Sequence, residues 1–165
     1  MFTDFFKTSK AWQEEIVFTT VAAISSYEFS ADAVIDSLVC VLTADDAPVA
    51  ATMSEPSVVV LGVEPTTAEA LTATFALTCS DPLDSEDYPK FPKWVLTKYS
   101  TVIIDGLRSR MQLQPAKPYS NQQLGVLNAR KFSAGCASAR TEVRHQNLYG
   151  GQRWTFPQFA VGSQR

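Results

Sequence analysis

His145 is the single histidine of this 165-residue chain, so a serine or cysteine nucleophile with an imidazole base would have to use it. It falls near the end of a helix-patterned stretch with no nucleophile beside it. A helix C-terminus there suits a plain or protonated imidazole. Carboxylates gather at Asp45-Asp46 and at Asp84, Glu86 and Asp87, both among turn residues. Loops of that kind favour solvated charge over an acid–base pair or a calcium site. Cys40, Cys79 and Cys136 are widely spaced in apolar or small-residue surroundings. That pattern predicts buried free thiols, not a disulfide framework or a zinc site. Phosphate-loop, dinucleotide and His-Glu-x-x-His patterns do not occur in the sequence. The chain reads as non-enzymatic, with no catalytic residue, metal or cofactor expected.

What the residues do carry is segregated charge. Residues 1–92 hold 15 of the 17 acids against Lys7, Lys10 and Lys90, a net of −12. Residues 93–165 hold 11 of the 14 bases against Asp105 and Glu142, a net of +9. The overall −3 therefore conceals a dipolar molecule, suited to lining up with copies of itself or with a charged partner. Arg108, Arg110, Arg130, Lys131, Arg140 and Arg144 are expected on the exposed face of two helices. Arg153 follows in a Gly-hinged tail with Trp154, Phe156 and Phe159. Trp and Arg are enriched at binding hot spots, so these ten residues make up the expected subunit or partner interface. A net +9 could also contact phosphates, with affinity falling steeply in salt. Against that, no recognition-helix or RNA-binding signature occurs, and the acidic half would repel phosphates.

The elements that must position these groups follow from the pattern. Phe2, Phe5, Phe6 and Trp12 predict a short N-terminal helix with one aromatic face, packed on its own domain or docked on a neighbour. From Ile16 to Cys79 the texture is β: 16–21, 27–29, 34–42, 58–63 and 71–79, separated by turn-rich pieces. Thr72, Thr74 and Thr78 predict one wet strand face. Five or six such strands predict a small antiparallel sandwich or barrel. Asp81–Pro92, with three prolines and four acids, is a connector, and Pro92 suits a first helical turn. Val95, Tyr99, Val102, Ile103, Gly106 and Leu107 predict a helix over 93–113. Ser120 with Gln123 predicts a capping box opening a second helix to about residue 145 or 147, burying Leu124, Leu127, Phe132, Cys136, Ala139 and Val143. The small residues between 133 and 139 allow close approach by a neighbouring helix. A connection of about six residues makes the pair an antiparallel hairpin.

The expected architecture is therefore α+β: a short helix plus acidic β-region (1–92), a basic helical hairpin (93–148) and an extended aromatic arm (149–165). The first two form one compact domain. Apolar runs stay far below the ~20 residues that cross a bilayer. The Met1-Phe2-Thr3-Asp4 start lacks a basic region before an apolar core, so synthesis in a cytoplasm is expected.

One ordered set of residues resembles a known family. Pro92-Lys93-Trp94, Lys98-Tyr99, Ile103-Ile104-Asp105-Gly106-Leu107, Arg110-Met111, Gln114-Pro115 and Lys117-Pro118-Tyr119-Ser120-Asn121 follow one another. Arg130-Lys131-Phe132, Gly135 and Ala139-Arg140 come next, and Gly150-Gly151-Gln152-Arg153-Trp154-Thr155-Phe156-Pro157-Gln158-Phe159 closes the series. This order, over roughly residues 88–160, resembles the head-to-tail adaptor (neck) proteins of short-tailed phages and their relatives. The resemblance implies a virion protein that forms a ring of identical subunits, typically a dodecamer. Its implied partners are the capsid portal, a downstream tail or nozzle protein, and packaged DNA passing through without sequence specificity. A ring subunit uses different patches for its two neighbours, which segregated charge can supply. A nucleic-acid-binding module and a tail-terminator or tail-tube subunit are the alternatives.

Overall fold

Phe2–Ser9 forms the first helix, α1, and the computed structural model of the protein describes residues 1–31, 33–79 and 92–146. α1 ends where Lys10 turns left-handed (φ 55°) and sends its N–H back to the Phe6 carbonyl. Phe5 and Phe6 are wholly buried, each contributing about 1.5–3 kcal/mol of apolar transfer. The N-terminal helix thus packs on its own chain.

Among the described residues six strands follow: β1 (Gln13–Thr19), β2 (Ser26–Glu28), β3 (Val34–Thr43), β4 (Ala51–Glu55), β5 (Val58–Leu61) and β6 (Ala70–Thr78). They form two antiparallel three-stranded sheets, ordered β1-β6-β3 and β2-β5-β4. Between the sheets lies a core containing Phe29, Val41, Val59, Leu61, Leu71 and Phe75. The Phe29 ring stands 4.9 Å from Phe75 and 5.0 Å from Phe18. The expected antiparallel β-region is present, and β4 is an addition to it. Ala-Thr-Met-Ser-Glu has little strand character of its own. It pairs because the Pro56-Ser57 turn, with Ser57 at φ 70°, folds it against β5 in the register Ala51–Leu61.

One expectation about β6 is corrected. Thr74 and Thr78 are buried, so the threonine face is not wet. β6 is the central strand of its sheet, with the sandwich core on one face and α1 packed on it.

Two helices complete the described chain: α2 (Lys93–Gln112) and α3 (Gln122–Gln146). Pro92 is the N-cap of α2, where its missing N–H costs no helical hydrogen bond. α3 does not open on the expected Ser120–Gln123 box. Asn121 caps it instead: Asn121 Oδ1 accepts the Leu124 N–H at 3.1 Å, while the Ser120 hydroxyl donates to the Gln112 carbonyl at 3.4 Å. Asparagine caps as well as serine, and it sits one residue nearer the first helical turn.

α2 and α3 close against α1 over a second core that includes Phe5, Phe6, Val95, Tyr99, Ile103 and Cys136. Trp12 packs against both cores and joins them. The acidic and basic halves of the sequence therefore share an interior. Phe132, Cys136, Ala139 and Val143 pack there as expected. Leu107, Leu124 and Leu127 do not, being 43%, 45% and 47% exposed. Gly106, Gly125 and Asn128 take the inward positions instead, because the two helices approach too closely for leucine there. Most of the Asp81–Pro92 connector and the arm from residue 149 lie outside the described residues.

Candidate interaction surfaces

The six cations expected at the interface, Arg108, Arg110, Arg130, Lys131, Arg140 and Arg144, are all exposed, but they do not share one face. Arg110 forms an exposed pair with Asp4 of α1, whose carboxylate also takes the N-terminal amine at 3.3 Å. This pair ties the end of α2 to the first helix. Arg108 points elsewhere on α2, two residues and about 200° away. On α3, Arg130, Arg140 and Arg144 fall on one stripe with Ser133 and Ala137, at steps of three and four residues. Lys131 lies about 100° round from it. The stripe is turned away from α2, because the α3 residues meeting α2 are Gly125, Asn128, Phe132 and Gly135. Arg153, Trp154, Phe156 and Phe159 lie outside the described residues.

α2 carries an outer edge that the sequence reading did not separate from its core stripe. Leu96, Ser100, Ile104, Leu107 and Met111 recur at steps of four, four, three and four. The four apolar members are 42–50% exposed. They lie roughly opposite Val102 and Gly106, the residues that meet Gly135 and Phe132 of α3. The hairpin thus presents an apolar edge on α2 and a cationic edge on α3, on opposite sides. The periodicity was visible in the sequence, but two apolar stripes ran along the same helix.

Across the helices, a polar cluster fixes their register. Tyr99 Oη donates to Glu142 Oε2 at 3.0 Å, and Lys98 pairs with the same carboxylate. The hydrogen bond from Lys98, then that from Tyr99, holds Glu142 below the usual carboxylate range. The same contact raises Lys98, and burial followed by the Glu142 hydrogen bond raises Tyr99. These groups brace the hairpin toward its open end, where α2 begins and α3 ends.

A groove of about 510 Å³ opens between α3 and the edge strand β3. Lys10, Arg140 and Arg144 line it with Ser37, Leu38, Val39, Cys40 and Val143, and among the described residues no carboxylate contributes to its walls. Lys10 is paired with Asp36. On the other side of β3, a second groove of about 610 Å³ runs between Ser37–Val41 and Pro48–Met53.

Cys79 and Cys136 are buried free thiols, as expected; Cys40 is only half-buried, because β3 is an edge strand. Among the described residues, no three or more His, Cys, Asp and Glu side chains gather as metal ligands. No helix among them is long and apolar enough to cross a membrane. No protein-family model and no curated protein matches the sequence.

Proposed function

We propose that the chain is a structural, non-enzymatic subunit of a ring that joins a capsid portal to a phage tail. The observation that carries this reading is the pair of unlike edges on one hairpin, apolar on α2 and cationic on α3. A closed ring needs two different patches per subunit, facing in different directions. A twofold dimer would use one self-complementary patch instead. The apolar edge supplies area to be dried, and the arginines bring both long apolar stems and charge that sets register. The residue order around Pro92–Asn121 and Gly150–Phe159, which resembles phage neck proteins, supports the same assignment. In it the partners are sister subunits, the portal, a downstream tail protein and DNA passing through.

One observation favours a second reading: Arg130, Arg140 and Arg144 share a stripe that could follow a phosphate backbone. Native mass spectrometry and negative-stain imaging, run beside a DNA mobility shift over a salt series, separate the two. The ring reading expects closed oligomers that Leu107→Glu with Met111→Glu reduces to folded monomers. A chain that stays monomeric at high concentration and shifts DNA with a steep salt dependence overturns it.

A further inference from the structure

We infer that the open edge of β3 is a strand-addition site for an extended acidic segment of a partner protein. The inference rests on reading Arg140 and Arg144 as interface residues and names what they would meet. β3 ends its sheet, with β6 on one side and, on the other, only the isolated bridge from Leu42 to Pro48 among the described residues. Register shifts between Ile35 and Ser37 and between Leu38 and Cys40 break its ladder with β6, which twists and bends this stretch.

An edge strand presents a row of backbone donors and acceptors to any extended chain that comes alongside. Proteins ordinarily shield such an edge, and here two grooves flank it along Ser37–Cys40, before the Val41 carbonyl takes the Val49 N–H. Main-chain pairing supplies affinity in this mode, and flanking pockets choose the side chains.

The two flanks select different chemistry. Toward α3 the wall is cationic, with Arg140 and Arg144 and no carboxylate among the described residues. Toward β4 it is mostly apolar, with Pro48, Val49 and Met53. An added strand turns successive side chains to opposite faces. The fitting partner therefore alternates carboxylate and apolar residues, its acids toward the arginines and its apolar groups toward β4. Arginine suits this role because its planar fork takes a carboxylate through two parallel hydrogen bonds.

A fluorescent decapeptide of alternating Asp and Val, titrated against the whole chain and read by anisotropy, tests the site. Binding is expected, weakened about tenfold or more by Arg140→Glu with Arg144→Glu. N-methylation at one alternate set of peptide residues should abolish it, and at the other set leave it intact, since only one set faces β3. Equal binding of a Lys–Val peptide, or indifference to both N-methylation patterns, overturns the inference. So does an edge filled by a second copy of the chain, seen as a dimer that the peptide cannot dissociate. Ring formation measured on the same variants keeps the two readings apart. Rings that are lost on charge reversal in a protein that never binds the peptide sink the strand-addition site and leave the assembly reading standing. Peptide binding by a chain that never forms rings does the reverse.

Discussion

Gly135 of α3 lies so close to Val102 of α2 that a β-carbon at position 135 would stand 2.6 Å from Val102 Cγ2 and 2.7 Å from Cγ1. Valine is stiff about its first torsion and cannot swing both methyls aside. The small residue in the middle of α3 therefore sets the distance between the helices. Gly135→Ala should destabilise the protein by about 1–3 kcal/mol, although alanine is the better helix former. Urea unfolding followed by circular dichroism measures it, and a variant as stable as the parent would show that α2 can shift outward freely.

The Lys98–Glu142–Tyr99 cluster makes stability depend on acid. Glu142 is lowered in the folded chain, so its contribution is present above the usual carboxylate value of about 4.3 and is lost as pH falls through the lower folded value. Glu142→Gln should melt earlier than the parent at pH 7. The two melting temperatures should converge in acid below pH ~4. A gap that stays constant across pH would assign the loss to packing.

Asn121, and not Ser120, holds the start of α3. Asn121→Ala should cost about 1 kcal/mol, the usual worth of such a cap. Ser120→Ala should stay within about 0.5 kcal/mol. Chemical denaturation of the two single variants decides the order, and equal losses would restore the capping box.

Thiol chemistry should distinguish the three cysteines. Burial, with a smaller push from Asp4, raises Cys136 to about 11, and both Cys79 and Cys136 are closed to solvent. Cys40 stands half-buried on the open edge of β3. A chromogenic disulfide reagent at pH 8 should titrate Cys40 quickly and the other two only on unfolding. Cys40→Ser should remove the fast phase, and a fast phase that survives would mean that the helical core opens readily.

Charge on the outer edge of α3 should act through screened attraction. Arg140→Glu with Arg144→Glu is expected to weaken self-assembly more at 50 mM than at 500 mM salt, between which the screening length shortens about threefold. Sedimentation velocity at both salts reads it. An equal loss at each would attribute these positions to packing.

The sequence by itself determined the local elements and the global charge plan. Periodicity fixed α2 and α3, β-branched runs fixed five strands, and proline placed the start of α2 at residue 93. On α2 it named an inward stripe of Val95, Tyr99, Val102, Ile103 and Gly106 but counted the outward Leu107 with it. Leu96, Ile104, Leu107 and Met111 make a second apolar stripe on the same helix, and hydrophobicity alone gives no reason to leave it outside. Tertiary packing buried the stripe that carries Gly106, where Met1 and Phe132 already fill the place of a β-carbon. β4 likewise exists only through its partner β5, and Thr74 and Thr78 of β6 are dry because α1 packs on that strand. The cationic groove also needed the fold, since Lys10, Val39 and Arg140 are distant in sequence and meet only when α3 packs beside an edge strand. Local periodicity reports what each segment prefers, while close approach between segments decides which face of it the solvent meets.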